Sequence, residues 1–414
     1  MLKRKTPKKD EIIRGWEASG PEPGWSRELI RSRQGSPIRN LANAITMFRQ
    51  HPDWADVLYF DEFSQAVRIR HAVPWEGDGI VDRKWTAHDD PLAANWVQHQ
   101  GVNVDTGIVA QAIEVVARDA TFHPVRDYLN GLPWDGEERI ATWLTVYLGV
   151  APSAYASEIG KAFLISAIAR IMQPGCKADA MLIIEGPQGI GKSRAARILA
   201  DPWFSDELAD IGSKDAAMQL AGVWLIEFSE LGALHKSEVT KLKAFLSCTA
   251  DRFRPPYGRR VVEVPRQVVF IGTTNDDAYL KDATGARRFW PVKAGRIMLE
   301  DLRRDRDQLW AEALHLYNNK VTWWIAGAAM AAAAKREQDQ RYVADPWDEC
   351  IAAYLKGRDD TSVAEIVRDV FHIDISMQDK GTSTRVGLAL KHLGFDQYQV
   401  GTGARTRRYR RRTL

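Results

Sequence analysis

Cysteine is scarce in this sequence of 414 residues. Its three cysteines, Cys176, Cys248 and Cys350, lie far apart, with no CxxC pair and no histidine at the spacing of zinc ligands. This argues against a disulfide scaffold and against a structural zinc site, and it favours buried thiols in a reducing compartment.

Long apolar runs are also missing. Residues 323–334, before Lys335, form the longest small and apolar stretch, shorter than the about 20 residues that span a bilayer. The basic start, Met1 to Lys5, has no apolar segment behind it, which argues against a secretory signal. Since 45% of the residues are hydrophobic and 27% are charged, we expect a soluble intracellular protein of two or three domains with no membrane partner.

Neither sign of charge dominates, because 57 basic residues face 54 acidic ones. The positive charge is concentrated at the two ends of the chain. The N-terminal group is typical of a solvated tail, whereas the C-terminal arginines interleave Tyr409 and favour contact with nucleic acid. The two groups are Lys3, Arg4, Lys5, Lys8 and Lys9, and then Arg405, Arg407, Arg408, Arg410, Arg411 and Arg412.

Periodicity and turn residues divide the chain into five segments. Gly20-Pro21-Glu22-Pro23-Gly24 indicates a flexible lead-in, and Leu132-Pro133-Trp134-Asp135-Gly136 indicates a connector with helices over 138–147 and 157–172. The predicted segments are a basic lead-in over 1–35, a small α/β domain over 36–130, a helical connector or collar over 131–178, an α/β domain over 179–340 and a C-terminal domain over 345–414.

Short apolar runs alternate with helical segments from Met181 onward, which is typical of a parallel α/β sheet. The predicted strands are 181–185, 223–228, 268–272 and 289–292, and predicted helices over 301–317 and 326–339 close this domain.

The C-terminal segment has the pattern of a winged helix. Predicted helices over 347–355, 363–370 and 383–393 precede strands over 397–400 and 407–411, which flank a Gly-Thr-Gly turn. In such a domain a helix, here with Arg385, enters the major groove and the wing presents arginine to phosphates. A small helical cap on the preceding domain is the alternative.

A phosphate-binding loop follows the strand 181–185, because residues 186–193 match G-x-x-x-x-G-K-[ST] before a predicted helix. Glycines let backbone N–H groups surround phosphates, Lys192 adds a positive charge and the Ser193 hydroxyl can ligate Mg²⁺. The sequence therefore predicts binding of ATP and Mg²⁺. The predicted binding residues are Gly186, Pro187, Gln188, Gly189, Ile190, Gly191, Lys192, Ser193 and Arg194.

Carboxylates and an amide lie at or just after the ends of the next two predicted strands. We assign Glu227 to the metal and Glu230 to the attacking water, although Glu230 also suits a helix N-terminus. Asn275 can hydrogen-bond the γ-phosphate or the water, with a plain turn at Thr274 and Asn275 as the alternative.

Two basic clusters complete the candidate site. Arg287 and Arg288 precede the last predicted strand, and we expect one of them to act in the site of a neighbouring subunit; surface salt bridges are the alternative. A predicted hairpin around residues 251–264 combines arginines with an aromatic ring, which suits single-stranded nucleic acid; a solvated hairpin tip is the alternative. The predicted DNA-contacting residues here are Lys241, Lys243, Arg252, Arg254, Tyr257, Arg259 and Arg260.

The segment from about residue 123 to residue 292 resembles the virulence-associated protein E family. These are phage and genomic-island replication proteins whose ATPase is related to superfamily 3 helicases within the AAA+ class. The resemblance rests on His123-Pro-Val-Arg-Asp-Tyr-Leu, Trp134-Asp-Gly, Pro174-Gly-Cys-Lys, Glu185-Gly-Pro-Gln-Gly-Ile-Gly-Lys-Ser, Glu227-Phe-Ser-Glu-Leu, Arg254-Pro-Pro-Tyr-Gly-Arg, Gly272-Thr-Thr-Asn and Arg287-Arg-Phe-Trp-Pro.

The resemblance implies a five-stranded AAA+ sheet and a ring of subunits, commonly a hexamer, with ATP bound between subunits. The hairpin would face the central channel, with Lys241 or Lys243 near the pore. Glu227 departs from the more usual aspartate at the metal position. No primase-like half precedes the ATPase, so a separate primase is expected as a partner.

The leading hypothesis is an ATP-hydrolysing DNA helicase that replicates a phage or an integrated mobile element. It would act on single-stranded and forked DNA in the cytoplasm of a bacterial host. The alternative is an origin-binding initiator that uses ATP only for assembly. A third possibility, a defence or signalling ATPase, predicts a sensor domain after the ATPase, for which the short C-terminal segment is a poor candidate.

Overall fold

The computed structural model describes residues 24–77, 80–233, 236–254, 260–280, 286–342, 346–374, 377, 379–400 and 406–412. The chain forms two compact units, Met1–Tyr128 and Leu129–Leu414. Among the described residues, no helix has both the length and the hydropathy that crossing a membrane requires.

In its described residues the first unit contains a four-stranded sheet with α-helices and a short 3-10 helix (Pro52–Trp54). Its strands lie in the order β3-β2-β1-β4, with β1 antiparallel to β2 and parallel to β4. Asn40 and Asp105 cap α2 and α4 by accepting hydrogen bonds from the amides of Asn43 and Ile108. The elements are α1 (Gly24–Arg27), α2 (Leu41–Gln50), β1 (Leu58–Asp61), β2 (Ala66–His71), β3 (Ile80–Lys84), α3 (Asp89–His99), α4 (Thr106–Ala117) and β4 (Thr121–Phe122).

The lead-in predicted over residues 1–35 is wrong from residue 24 onward. Trp25 and Leu29 are buried in the same core as Phe48 and Trp54, because two large apolar side chains lose unfavourable contact with water when they pack there. The prediction of a flexible lead-in rested on the glycines and prolines of residues 20–24 and took no account of Trp25 and Leu29. The part of the lead-in before residue 24 lies outside the described residues.

The chain passes into the second unit within α5 (Pro124–Asn130). The helices of this unit are α6 (Trp143–Leu148), α7 (Ala154–Met172), α8 (Lys192–Ala200), α9 (Lys214–Gln219), α10 (Lys236–Leu246), α11 (Leu299–Asn318), α12 (Ala328–Gln340), α13 (Pro346–Tyr354), α14 (Val363–Asp369) and α15 (Lys380–His392). The strands are β5 (Met181–Glu185), β6 (Phe204–Ser205), β7 (Leu225–Phe228), β8 (Ala250–Phe253), β9 (Val262–Pro265), β10 (Val269–Thr274), β11 (Phe289–Lys293), β12 (Asp360–Thr361), β13 (Phe395–Val400) and β14 (Thr406–Arg411).

Five parallel strands form the central sheet, in the order β11-β5-β10-β7-β6. The predicted parallel α/β sheet is confirmed, and the four strands predicted from apolar runs are present. β6 has only two residues, so it left no apolar run to detect. Apolar side chains cover the sheet: Leu242 of α10 clusters with Ile183 and Phe270, and the Trp310 ring of α11 lies 4.3 Å from that of Trp224. Burial of this kind is typical of parallel sheets.

The predicted helix over 138–147 is wrong in its first half, since α6 begins only at Trp143. The buried Glu312 carboxylate accepts hydrogen bonds from the amides of Arg139 at 2.7 Å and Ile140 at 2.8 Å. The backbone amides of Arg139 and Ile140 thus donate to a side chain distant in sequence and not to the backbone carbonyls of the predicted helix. Burial raises the pKa of Glu312.

Two smaller sheets complete this unit. β8 and β9 pair as an antiparallel hairpin between α10 and β10. β12, which lies between α13 and α14, pairs with β14 in a three-stranded sheet whose other two strands, β13 and β14, follow α15. The three predicted C-terminal helices and the two strands that follow them are present in the predicted order, whereas the two-residue strand β12 was not predicted. The division of the unit into connector, ATPase and C-terminal domains stays a prediction.

Candidate functional site

The loop predicted to bind phosphate follows β5 directly and leads into α8. All five residues of β5 are buried, which fixes the strand end from which the loop starts. Gly186 and Gly191 have positive φ angles of 149° and 101°. A Cβ on Gly186 would lie 2.8 Å from Cδ1 of Ile190, so only glycine fits this turn without displacement.

Lys192, the first residue of α8, is held inside the loop. Its ammonium donates to the carbonyls of Gly186 at 2.7 Å and Pro187 at 2.9 Å, and to Oδ1 of Asn275 at 2.8 Å. Burial lowers the pKa of Lys192, and the Glu227 carboxylate partly opposes this shift. The residue thus joins the loop to the end of β10, at the place where the sequence predicts phosphate.

Glu227 lies at the buried end of β7, next to Ser193. Its Oε1 accepts hydrogen bonds from the hydroxyls of Ser193 and Thr273, each at 2.6 Å. Its Oε2 is buried and has no hydrogen-bond partner in the described part of the chain. Because an unpartnered buried carboxylate oxygen is costly, and because hard cations take carboxylate and hydroxyl oxygens, these residues fit a Mg²⁺ site.

A cavity of about 300 Å³ opens over the loop. Glu230 and Asn275, both exposed, line it opposite the loop residues. Glu230 has a φ of 55°, which is uncommon for a residue with a side chain and is often found at functional sites. The lining comprises Gln188, Gly189, Gly191, Lys192, Ser193, Arg194, Ser229, Glu230, Thr273, Thr274 and Asn275.

Arg287 and Arg288 lie at the opposite edge of the sheet. They immediately precede β11, whose first residue, Phe289, pairs with Met181 at the start of β5. The five residues of β5 separate this edge from the loop by about 13–16 Å at a rise of about 3.3 Å per residue. Arg288 donates to Oγ of Ser247 at 2.8 Å, whereas Arg287 is exposed and makes no ion pair with any described residue.

Glu185, the residue before the loop, belongs to a buried polar network. Both its carboxylate oxygens accept from Arg341, at 2.7 and 2.9 Å, and Oε1 also accepts from the Tyr279 hydroxyl at 2.7 Å. Burial raises the pKa of Tyr279, so the phenol stays a hydrogen-bond donor. The network holds the end of β5 against the residue that follows α12.

A family model of the virulence-associated protein E-like domain matches residues 129–343, more than half of the chain. The chain belongs to this family. The resemblance found in the sequence is therefore confirmed, and the match extends beyond residue 292 to residue 343, so that it includes Arg341.

Solved structures of the NrS-1 C-terminal region are similar to this virulence-associated protein E-like chain at low identity. The apo structure of region 305–718 has 13% identity and a TM-score of 0.44, and the match covers 85% of this chain and 95% of that one. An A-form apo structure of the same region has 12% identity and a TM-score of 0.45, with 86% and 96% covered. No curated protein matches the sequence.

In this virulence-associated protein E-like chain the β8–β9 hairpin carries part of the predicted DNA-contacting set. Arg254 and Arg260 are exposed, and Arg252 pairs with Glu263 on the facing strand at 2.7 Å. Tyr257 and Arg259 lie outside the described residues. Lys241 is exposed and lines a cavity of about 250 Å³ together with Glu227.

Lys243 does not belong to an exposed DNA-contacting surface. It is only 7% exposed, and its ammonium lies 5.7 Å from the centre of the Phe289 ring. Lys241 is exposed and Lys243 is buried because residues two positions apart point to different sides of a helix.

The C-terminal candidates differ in their surroundings. Arg407 and Arg410 are exposed, whereas Arg408 is bound to Asp360 and Glu365. The guanidinium of Arg385 lies 3.9 Å from the centre of the Trp347 ring. Arg405 lies outside the described residues.

Sequence reasoning missed four polar residues around the candidate site. Thr273 lies within the Gly-Thr-Thr-Asn motif, so its place beside Glu227 had a signal in the sequence, although only Thr274 and Asn275 of this motif were predicted to matter. Arg341, Tyr279 and Ser247 lie in no motif, and only the fold brings them to Glu185 and Arg288.

Proposed function

We propose that this protein is an ATP-hydrolysing, ring-forming DNA helicase of AAA+ type that serves the replication of a phage or mobile genetic element. The carrying observation is the Glu227 carboxylate, which binds Ser193 of the phosphate-binding loop through one oxygen and keeps the other free. Membership of the virulence-associated protein E-like family and the five-stranded parallel sheet support the proposal.

The residues of the cavity suit nucleotide hydrolysis. Lys192 exchanges its contacts with Gly186, Pro187 and Asn275 for phosphate oxygens of ATP. Ser193 and Glu227 would hold Mg²⁺, which would supply positive charge to the phosphates of ATP. Glu230 accepts a proton from the attacking water, and Asn275, freed from Lys192, orients that water or the γ-phosphate.

An arginine from a second subunit completes this site. Arg287 is the better candidate, because it is exposed while Arg288 is held by Ser247 and Asp179 of its own chain. Its position at the far edge of the sheet prevents it from reaching the loop of the same chain. The proposed oligomer is therefore a closed ring, a hexamer in the simplest case, in which each Arg287 serves the next nucleotide.

DNA would pass along the β8–β9 hairpin. Exposed Arg252, Arg254 and Arg260 supply positive charge for a single strand. The C-terminal helices and hairpin act as a winged helix that holds the forked substrate, and a separate primase supplies primers. The proposed place of action is the cytoplasm of a bacterial host.

The test is ATP-dependent strand separation of a forked duplex. We expect unwinding by the wild type and none by Lys192→Ala or Arg287→Ala. Arg303→Ala is the matched control, since Arg303 is an exposed arginine that pairs, within the described part of the chain, with Glu300 three residues away. ATP hydrolysis without any strand separation, alone or with a primase, would overturn the helicase proposal.

Arg287→Ala also tests the shared site. A mixture of Lys192→Ala and Arg287→Ala subunits should recover part of the ATPase activity, because some interfaces then combine an intact loop with an intact arginine. No recovery at any mixing ratio would contradict the action of Arg287 in a neighbouring subunit.

An origin-binding initiator is the second candidate. Exposed Arg407 and Arg410 on the C-terminal hairpin favour it, since duplex recognition by these residues needs no central channel. Neutralising Arg252, Arg254 and Arg260 separates the two functions. Full replication activity of this variant would support the initiator, whereas loss of unwinding with retained duplex binding would support the helicase.

A further inference from the structure

The turn that carries Arg287 is fixed to the end of α10. Arg288 donates through Nε to Oγ of Ser247 at 2.8 Å, and the same nitrogen lies 3.5 Å from Oδ2 of Asp179. The Ser247 hydroxyl in turn donates to the Lys243 carbonyl at 2.8 Å, in the last turn of α10. The position of Arg287 therefore depends on its neighbour and on this helix end.

The base of the β8–β9 hairpin is fixed to the same helix end. Arg266, which follows β9, is 2% exposed and donates through Nε and Nη2 to the two oxygens of Asp251 in β8, each at 2.7 Å. Its Nη1 donates to the Phe245 carbonyl, and its guanidinium lies 4.1 Å from the centre of the Phe245 ring. Bidentate charged pairs of this kind hold their partners in one geometry.

The two contacts therefore lie two residues apart: Arg266 binds the Phe245 carbonyl, and Arg288 binds the Ser247 hydroxyl. The segment between the end of α10 and the start of β8 is only three residues long. The amide of Arg266 also donates to the Thr249 carbonyl in this segment at 2.9 Å. A displacement of the hairpin base must therefore move Ser247, Arg288 and the turn before β11, or break one of these hydrogen bonds.

We propose that Ser247 and Arg288 are positioning residues that transmit DNA binding at the β8–β9 hairpin to the turn bearing Arg287. The inference rests on the proposed function, in which the hairpin binds DNA and Arg287 acts in a neighbouring site. DNA on the hairpin stabilises one position of α10 and hence one position of Arg287. Because Arg287 is then held in one position, DNA should stimulate ATP hydrolysis.

Ser247→Ala is the sharpest test, because it removes the hydroxyl that accepts from Arg288 and leaves both arginines in place. Ser166→Ala is the matched control: the Ser166 hydroxyl likewise donates to a carbonyl in its own helix, at 2.7 Å from that of Phe163, and is far from this segment in sequence. Ser247→Thr keeps a hydroxyl and serves as the rescue.

We expect Ser247→Ala to keep its affinity for a single-stranded oligonucleotide and its ATPase rate without DNA within about twofold of wild type. Stimulation of the ATPase by the oligonucleotide should fall by about tenfold, the scale of one hydrogen bond to a charged group. Ser247→Thr should restore most of the stimulation, and Ser166→Ala should leave it unchanged. Full stimulation in Ser247→Ala, or an equal loss in Ser166→Ala, would overturn the proposal.

Hydrogen–deuterium exchange separates this inference from the proposed function. Addition of the oligonucleotide should slow amide exchange in residues 286–293 of wild type but not of Ser247→Ala, whether or not ATP is hydrolysed. If the wild type binds DNA without hydrolysing ATP, the proposed function fails. The exchange result still shows whether DNA binding at the β8–β9 hairpin affects the turn that bears Arg287. If DNA leaves residues 286–293 unchanged in the wild type, the connection is wrong.

Discussion

Arg341 and Glu185 form a buried bidentate ion pair at the residue that precedes the loop predicted to bind phosphate. Nε and Nη2 of Arg341 lie 2.7 and 2.9 Å from the two carboxylate oxygens. Arg341 also binds Glu337 one turn earlier. The end of β5, from which the loop starts, is thus tied to the C-terminal end of α12.

Removing one partner of this pair should strongly destabilise the protein. For Arg341→Met we expect a loss of about 3–5 kcal/mol in the free energy of unfolding, because the Glu185 charge stays buried without its partner. The double variant Glu185→Gln/Arg341→Met should lose less than Arg341→Met alone. Urea unfolding measures both, with Arg303→Met as a control whose exposed ion pair contributes about 0–1 kcal/mol.

A different result would change the interpretation of the network. If the double variant is less stable than Arg341→Met, Glu185 is stabilised without Arg341, for example by the Tyr279 hydroxyl. Tyr279→Phe then measures that contribution directly.

The lowered pKa of Lys192 predicts that nucleotide affinity decreases in an alkaline range where ordinary lysines stay charged. The pKa lies below the usual 10.5 because burial disfavours the ammonium. A phosphate attracts the ammonium and not the neutral amine, so affinity for ATP should fall as pH rises toward 10.5. Calorimetry of ATP binding between about pH 7.5 and 10 measures this.

Lys192→Arg supplies the control for the pH dependence, since a guanidinium stays protonated throughout this range. Its affinity for ATP, even if weaker, should vary little with pH. An equal pH dependence in wild type and Lys192→Arg would mean that another group titrates.

Glu227→Gln should impair hydrolysis more than nucleotide binding. The substitution keeps an oxygen for Ser193 and Thr273 but removes the negative charge proposed to hold Mg²⁺. We expect kcat for ATP hydrolysis to fall by about 100-fold, with half-saturation at a higher Mg²⁺ concentration. Steady-state ATPase assays over a Mg²⁺ titration measure both, and Glu114→Gln, at an exposed glutamate paired with Arg118, is the control.

Thr273→Val tests the same site from its neighbouring strand, because Thr273 donates to the Oε1 of Glu227 that Ser193 also uses. The loss of this donor should shift the Mg²⁺ requirement in the same direction as Glu227→Gln, though less. An unchanged Mg²⁺ requirement in both variants would contradict the assignment of Glu227 to the metal.

The sheet and the strand–loop–helix arrangement around residues 186–191 were predictable because their signals are local. Continuous apolar runs such as Met181–Glu185 are typical of strands buried on both faces, and the loop motif specifies its own turn. β6 was missed because two residues, Phe204 and Ser205, have no periodicity. The helix over 138–147 failed because a contact with Glu312, far along the chain, replaced the helical hydrogen bonds.

Side-chain partnerships were the least predictable part of the candidate site. Spacing placed Glu227 near Ser193, since Glu227 lies near the carboxyl end of β7 and Ser193 follows the carboxyl end of β5, and parallel strands end at one edge of the sheet. Spacing did not show that Arg288 is held by Ser247 or that Lys243 is buried. Two adjacent arginines, or two nearby lysines, look alike in the sequence. Their exposure and their hydrogen-bond partners nevertheless differ, because these depend on residues far along the chain that pack against them.

The C-terminal hairpin contains two kinds of arginine. Arg408 is half-buried, and its Nη1 lies 2.9 Å from Oε1 of Glu365 while the guanidinium also contacts Asp360. Arg410 is exposed and lies 4.8 Å from the centre of the Tyr398 ring, and Arg407 is exposed as well. Arg407 and Arg410 are therefore the residues proposed to contact DNA, whereas Arg408 joins β14 to β12 and α14.

Alanine substitution should separate these two roles. Each phosphate contact contributes about −0.9 to the slope of log K against log salt for duplex DNA, so Arg407→Ala/Arg410→Ala should make this slope less negative by up to about 1.8. Arg408→Ala should leave the slope unchanged and lower the melting temperature, because Glu365 and Asp360 lose their common partner. Duplex binding at several salt concentrations and thermal unfolding of both variants measure this. A reduced slope in Arg408→Ala at unchanged melting temperature would reverse the assignment, since it would mean that Arg408 leaves its carboxylates to bind DNA.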